Sequence, residues 1–146
     1  MAILGRFRGR FCDHFFQRLG FIVSIINKTI AMIHKKMDVW KLSIEMVIDV
    51  YQLTRSYPVT EKFGLTNQMR RAAVSVPSNI AEGTARNSKK ECAHFLRIAL
   101  GSLTELETQL IISQRLGFCA SEANEILEKE KRIAQMLLGL LKHFNP

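Results

Sequence analysis

The sequence predicts an all-α protein: an up-down-up-down four-helix bundle with a proline-kinked second helix, preceded by a basic N-terminal extension. Apolar residues recur every three or four positions through four long segments, as on a helix face that packs against a core. Glycine and proline, which interrupt helices, number only 8 and 3 in 146 residues. The segments are joined by short turns, as antiparallel neighbours require, and none alternates as a strand does.

The first 36 residues differ from the rest in charge. The chain carries a formal charge of +8, and residues 1–36 hold +6 of it, with seven Lys and Arg residues against one Asp. We expect residues 37–146 to form the bundle domain, and translation to begin naturally at Met37 with the upstream residues read in frame. The alternative is a basic arm that lies on an acidic polymer or lipid surface. The uncharged run at 19–27 is too short to span a bilayer, so no membrane partner is expected.

The first helix is predicted over residues 39–54. Trp40, Ile44, Val47 and Tyr51 recur at helical spacing, and further apolar residues lie on other faces of the same helix. A helix that is apolar over most of its circumference exposes more apolar surface than one bundle can cover. The sequence therefore predicts that copies of the chain associate.

The second helix contains Pro77. Its apolar line keeps one helical phase on both sides of the proline: Leu65, Met69, Ala72 or Ala73, Val76 and Ile80. An interior proline loses the hydrogen bond to the carbonyl of Ala73, at a cost of about 3 kcal/mol. The alternative is a stop near Val74 followed by a new helix with Pro77 in its first turn. The continuous phase favours one kinked helix, which we expect to end at Gly83.

A polar line follows another face of the second helix through Arg71, Ser75, Ser78, Glu82 and Arg86. One interpretation is a solvated surface. The other is a packed polar seam at a contact between copies, which the two serines favour because serine is a weak helix former. The residues that we expect at such a contact are Trp40, Ser75, Pro77, Ser78 and Glu82.

The third and fourth helices have clear start signals. Ser88 and Glu91 match the S-x-x-E capping box, and Ser121 is a cap for the fourth helix. Gly101 and Ser102, in the middle of the third helix, predict a close approach by another helix. The expected buried seam of the third helix is Cys92, Phe95, Leu96, Ala99, Leu103, Leu106 and Leu110. That of the fourth helix is Ile126, Ile133, Leu137, Leu140 and Phe144.

Up-down topology gathers basic residues at one pole, where the first helix starts, the second meets the third, and the chain ends. These residues are Lys35, Lys36, Lys41, Arg86, Lys89, Lys90, Lys142 and His143. Lys89 and Lys90 occupy a first helical turn, where the helix dipole disfavours cations. Ordinary solvated charge is one explanation, and a phosphate-binding pole is the other. The residues that we expect to contact nucleic acid are Arg70, Arg71, Arg86, Lys89, Lys90 and Arg97.

Neither a catalytic site nor a cofactor is expected. Di-iron bundles use two Glu-x-x-His pairs, and this sequence has one, Glu91 with His94, so no metal is predicted. Walker, nucleophile-elbow, zincin and dinucleotide motifs do not occur in it. Its three cysteines include no C-x-x-C pair, which predicts reduced thiols and a cytoplasmic protein.

The stretch FGLTNQMRRAAVSVPSNIAEGTARNSKKECAHFLRIALGSLTELETQL, with VWKLSIEMVIDVYQLT before it, resembles the four-helix-bundle proteins encoded in intervening sequences of bacterial 23S ribosomal RNA genes. The resemblance covers Met37 to about Phe118 strongly and the fourth helix loosely. Its signature pieces are Gln68-x-Arg70-Arg71-Ala72-Ala73, Pro77-Ser78-Asn79-Ile80-Ala81-Glu82-Gly83 and Gly101-Ser102 followed by Glu105-Leu106-Glu107.

The resemblance implies a homopentamer without known catalysis. Relatives of that family include the accessory protein of diversity-generating retroelements, a basic pentamer that binds nucleic acid and a reverse transcriptase. We therefore expect a non-enzymatic homo-oligomer, pentameric by resemblance, that binds RNA or DNA through its basic pole. The alternative is a protein-docking scaffold or accessory subunit, for example of a reverse transcriptase, in which the basic charge is incidental.

Overall fold

The computed structural model describes residues 33–144, so the expectations about the extension lie, except for its last four residues, outside the described part. Four α-helices make up most of that part: α1 (Asp38–Leu53), α2 (Leu65–Ala85), α3 (Lys89–Arg115) and α4 (Glu122–Phe144). Two short 3₁₀ turns, His34–Lys36 and Val59–Lys62, precede α1 and α2. Residues 33–144 contain no strand, and the predicted all-α fold is confirmed.

The four helices form a square. Each helix packs against the next one in the chain, and α4 returns to pack against α1, while the diagonal pairs barely touch. This is the arrangement of an up-down-up-down bundle. The contact between α2 and α3 is the most extensive of the four.

The core follows the predicted apolar lines on α2, α3 and α4, whose central residues are fully buried. The first helix behaves differently. Val39, Met46 and Val50 point into the core, whereas Ile48 and Tyr51 on the opposite side are 50% and 41% exposed. A helix that is apolar on nearly every side can bury only one of its faces in a single bundle, so α1 leaves apolar surface in contact with water.

One continuous helix, α2, passes through Pro77, whose side chain is buried. The alternative of two helices that meet near Val74 is therefore wrong. The two residues that follow the proline donate side-chain hydrogen bonds to carbonyls one turn earlier. Ser78 Oγ lies 2.8 Å from the Val74 oxygen, and Asn79 Nδ2 lies 2.8 Å from the Ser75 oxygen. These bonds supply additional donors in the turn where the proline lacks its N–H.

Gly83 does not end α2, which continues to Ala85, so that prediction is wrong. The glycine is instead the point of closest approach to α3. A Cβ placed on it would lie 3.1 Å from Cβ of Phe95 and 3.2 Å from the carbonyl oxygen of Cys92. A larger residue would require Phe95 or the backbone of Cys92 to shift, which favours a glycine here despite its entropic cost.

The expected close approach at Gly101 is not found in residues 33–144, since a Cβ placed there would meet nothing of that part within 4 Å. Its neighbour Ser102 does meet another helix. The Ser102 hydroxyl donates to Ser75 Oγ on α2 at 2.9 Å, which satisfies two polar groups that lie between packed helices. At the start of α3, Ser88 accepts from the Glu91 amide, so the predicted cap is confirmed.

Glu130 is a carboxylic acid within the apolar core stripe of α4, and only 5% of its surface is exposed. Burial, and then repulsion by Glu107 on α3, raise the pKa of Glu130 to about 8. The side chain is therefore mostly neutral at pH 7 in the folded chain, whereas in the unfolded chain it is ionised.

Gly83→Ala should destabilise the bundle and Gly101→Ala should not. Alanine at residue 83 crowds Phe95 and Cys92, and overpacking of this kind costs about 1–3 kcal/mol, so the middle of that range outweighs the gain of about 1 kcal/mol in helix propensity. Alanine at 101 meets open space and keeps the propensity gain. Urea unfolding of both variants measures the difference. Equal stability of the two variants would contradict the close packing of α2 on α3.

The stability of the protein should fall as pH rises because of Glu130. Its folded pKa, about 8, lies above the ordinary value of 4.5, so the folded state holds a proton that the unfolded state has lost. Between these two pH values this group lowers the free energy of unfolding by about 1.4 kcal/mol per pH unit. Glu130→Gln should remove this slope, and the exposed Glu128→Gln should leave it. Urea titrations at several pH values from 5 to 8 test this. If the free energy of unfolding depends on pH in the same way for wild type and Glu130→Gln, the prediction is refuted.

Candidate nucleic-acid interface and the pocket at the opposite pole

The turn between α2 and α3 is three residues long, and it brings Arg86, Lys89 and Lys90 together at one end of the bundle. All three side chains are exposed. The turn is short because α2 and α3 pack against each other up to their ends, as the contact of Gly83 with Phe95 and Cys92 shows. The predicted grouping of these three cations is therefore built by the bundle itself.

The three cations are not equivalent. Arg86 forms an ion pair with Glu82, one turn earlier on α2, and its guanidinium lies 5.0 Å from the ring centroid of Phe95. These contacts hold Arg86 in place and partly neutralise it. Lys89 and Lys90 take part in none of the salt bridges found among residues 33–144. They are the side chains of this group that are best able to meet a phosphate.

Other cations lie at the same pole. Lys35 and Lys36 in the first 3₁₀ turn and Lys142 in the last turn of α4 are exposed, and within the described range none of them forms a salt bridge. Lys41 pairs with Asp38 at 3.1 Å. We call this set the basic pole: Lys35, Lys36, Lys41, Arg86, Lys89, Lys90 and Lys142.

The other three residues predicted to contact nucleic acid are distributed unevenly. Arg97 is exposed two turns after Lys90, on the same face of α3, and extends the basic pole along the bundle. Arg71, which is also exposed, lies fifteen residues before Arg86 on α2, a separation of about 22 Å.

Arg70 is half-buried. Its Nε donates to Thr54 Oγ1 at 2.9 Å, and its guanidinium lies 4.7 Å from the centroid of the Tyr51 ring. Arg70 and Arg71 thus stand apart from the pole.

The residues predicted at a contact between copies have different environments. Pro77 is buried inside its own chain, and Ser75 is half-buried against Ser102. Ser78 and Glu82 are exposed on the outer side of α2, while Trp40 is half-buried with its ring 5.0 Å from that of His34. Their place at an interface between copies stays a prediction.

An apolar surface runs along the outer side of α1 and onto α2. Ile48, Tyr51 and Val74 are each 41–50% exposed, and Ile44 and Val47 beside them are partly covered. A groove of about 470 Å³ lies between the two helices, lined by Tyr51, Asn67, Arg70, Arg71, Val74 and Ser75. We call this region the α1 face. Sequence reasoning had predicted that α1 would expose apolar surface, but not which of its sides the core would leave uncovered.

A pocket of about 350 Å³ opens at the pole opposite the basic one, between the end of α1 and the start of α4. Its apolar wall consists of Leu53, Phe118 and Ile126, and its polar lining of Asp49, Gln52, Ser56, Cys119, Glu122 and Glu125. Sequence reasoning missed this pocket, because its two walls are far apart in the chain.

The three carboxylates of the pocket differ in their partners. Asp49 accepts from Lys129 at 2.5 Å, a bond that raises the pKa of the lysine. The backbone amides of Glu122 itself and of Ala120 donate to the Glu122 carboxylate and lower its pKa, so that it is an anion at neutral pH. In residues 33–144, neither Glu122 nor Glu125 forms an ion pair. The pocket therefore presents negative charge beside an apolar wall.

Behind the pocket lies a cluster of two hydroxyls and a thiol that sequence reasoning missed. Tyr57 hydrogen-bonds to Ser113, and Cys119 Sγ lies 3.4 Å from the tyrosine oxygen and 3.3 Å from the serine oxygen. Burial, followed by the bond to Cys119, raises the pKa of Tyr57 far above its ordinary value, so the phenol is neutral. The cluster fixes the chain between α1 and α2 against the turn between α3 and α4.

Glu91 and His94, the single Glu-x-x-His pair, are both exposed on α3. Among residues 33–144 no three Cys, His, Asp or Glu side chains are close enough to hold a metal ion. In the same part of the chain, every helix falls short of the length and apolar content that crossing a membrane requires.

Comparison with known proteins identifies a family and a fold. The family of 23S rRNA-intervening sequence proteins matches the chain over residues 35–139. The crystal structure of a protein of unknown function from Bacteroides thetaiotaomicron, assigned to the S23 ribosomal protein family, superposes with a TM-score of 0.65 at 22% sequence identity. The match covers 71% of this chain and 98% of that one. No curated protein matches the sequence.

Proposed function

The chain belongs to the 23S rRNA-intervening sequence protein family, and we propose that it is a non-enzymatic homo-oligomer that binds the phosphates of RNA or DNA at its basic pole. The observation that carries this proposal is the cluster of Lys89 and Lys90 beside Arg86, exposed at the end of a tightly packed helix pair.

Two features of the pole favour phosphate as the ligand. Lys89 and Lys90 lie in the first turn of α3, where the helix dipole opposes them, so an anion that binds there also neutralises that repulsion. The same turn leaves backbone N–H groups without helical partners, which are the groups that anions contact at helix starts. Further lysines around the pole let a polyanion make several contacts at once.

The pole favours binding to the nucleic-acid backbone rather than base readout. Arg86 lies over the ring of Phe95, so that face of the phenylalanine is not free to stack on a base. Binding of this kind depends on charge and releases counterions, and its affinity therefore falls steeply with salt.

Self-association follows from the α1 face. A monomer would leave Ile48, Tyr51 and Val74 in water next to one another, whereas a copy of the chain could cover them. The resemblance implies five copies, and a ring of copies would repeat the basic pole on one side of the assembly. Each added copy multiplies the phosphate contacts without a new binding surface.

A protein-docking scaffold or accessory subunit, for example of a reverse transcriptase, is the second candidate. The same apolar α1 face favours it, since a different protein could cover that surface instead of another copy. For either candidate we propose the cytoplasm as the location, because Cys92 and Cys119 are free thiols.

We expect light scattering to show an oligomer that Ile48→Glu weakens. An isoleucine buried at a contact contributes about 1.5–3 kcal/mol to the free energy of association, and a buried carboxylate without a partner costs more. The dissociation constant should therefore increase at least about tenfold. Leu138→Glu, at a similarly exposed position on α4, is the matched control and should leave the mass unchanged. A fully folded monomer at high concentration would contradict self-association.

Fluorescence anisotropy with a labelled single-stranded RNA and a DNA duplex, measured from 50 to 300 mM salt, tests binding. The double variant Lys89→Ala, Lys90→Ala should weaken affinity about tenfold at low salt and reduce the salt slope by about 2 per bound copy. The control pair is Arg115→Ala, Lys131→Ala, which removes the same charge from two exposed residues away from the basic pole. The proposal would be refuted if the protein did not bind at low salt, or if both double variants lost the same affinity.

A further inference from the structure

Two apolar side chains stand almost completely in water between α1 and α2. Val59 is 86% exposed and Phe63 is 83% exposed, the highest values among the large apolar residues of the described part. Lys62 lies beside them, with its ammonium 5.6 Å from the centroid of the Phe63 ring. We call residues 59–63 the knob.

The knob has a defined backbone. The Glu61 amide donates to the Pro58 carbonyl at 2.9 Å, and the Gly64 amide to the Glu61 carbonyl at 3.0 Å. The Glu61 carboxylate accepts from the amide of Leu65 at 3.0 Å, which caps the start of α2. Next to this turn, Tyr57 is tied to Ser113 and Cys119. The backbone that carries the exposed phenylalanine is therefore held in one place.

The pocket at the same pole has the complementary chemistry. Its wall of Leu53, Phe118 and Ile126 is apolar, and its volume of about 350 Å³ is enough for a phenylalanine side chain. Glu122 and Glu125 at its edge carry the charge opposite to that of Lys62. A phenyl ring that enters the pocket would thus bring the neighbouring ammonium to the two carboxylates.

The geometry points to a second copy of this chain as the occupant: the knob of one copy inserts Phe63 into the pocket of the next, with Lys62 against Glu122 and Glu125. The knob lies on the α1–α2 side of the bundle and the pocket on the α1–α4 side, so each copy gives its knob to one neighbour and receives the knob of another. Contacts of this head-to-tail kind close into a ring when the rotation between neighbours brings the last copy back to the first. The inference rests on the proposed self-association and adds a contact at this pole to the one proposed for the α1 face.

Cys119 lines the pocket and makes a direct test possible. In a background with Cys12→Ser and Cys92→Ala, Phe63→Cys would place a thiol next to Cys119 of the neighbouring copy, within the short reach that a disulfide demands. Mild oxidation with diamide should then give dimers and longer covalent chains on a non-reducing gel. Two controls should give no covalent dimers: the same background with native Phe63, and the variant Phe63→Cys with Cys119→Ser.

The protein with native Phe63 and Cys119 can be mixed with the variant Phe63→Cys, Cys119→Ser. This mixture distinguishes a contact between copies from a contact within one chain. After subunit exchange and oxidation, the mixture should yield cross-linked dimers, because one partner supplies residue 63 and the other supplies Cys119. A disulfide that forms only within single chains would overturn the inference. An absence of cross-links in a preparation that light scattering shows to be oligomeric would also overturn it, yet leave self-association standing, whereas a folded monomer would refute both.

Charge reversal gives a second readout that needs no cysteine. Lys62→Glu should weaken association about tenfold, and adding Glu125→Lys in the same chain should restore most of the affinity, since the pair is then inverted. Lys131→Glu, also exposed, is the matched control for the change in net charge and should have little effect. If Glu125→Lys fails to rescue Lys62→Glu while both proteins remain folded, the charges do not meet and the inference fails.

Discussion

The close packing of α2 on α3 is the constraint on which the rest of the structure depends. Gly83 lets the two helices meet where a methyl group would be crowded, and the hydroxyls of Ser75 and Ser102 bond across the same contact. Helices that pack this closely up to their ends can be joined by a very short turn. The exposed lysines of the basic pole are held next to one another for this reason, and the buried Pro77 lies in the same tightly packed helix.

The first helix imposes the second constraint. Its apolar residues surround most of its axis, so the core can take only the side that carries Met46 and Val50. The side that carries Ile48 and Tyr51 remains in water unless something else covers it. Self-association and the docking of a different protein are two solutions to this one physical problem, and the fold alone allows both.

The two ends of the bundle differ in chemistry. One end collects cations, most of which are free to meet an external anion. The other end has an apolar pocket with carboxylates at its edge and, close by, an exposed phenylalanine beside a lysine. The basic end suits a polyanion. The opposite end carries two complementary surfaces, through which copies of the same chain can bind one another. Assembly at one end would leave the basic end open to ligand.

The sequence by itself determined the helices, their apolar lines and the cap at Ser88, and it favoured one helix through Pro77 over two. These features depend on the spacing of neighbouring residues, which the sequence contains directly. The tertiary structure decided which side of α1 is buried, and it gave Gly83 the role of a packing contact instead of a helix end. It also separated Arg70 and Arg71 from Arg86, and it built the pocket from residues as distant as Asp49 and Glu125. Such outcomes depend on which surfaces meet across the bundle, and local periodicity contains no information about that.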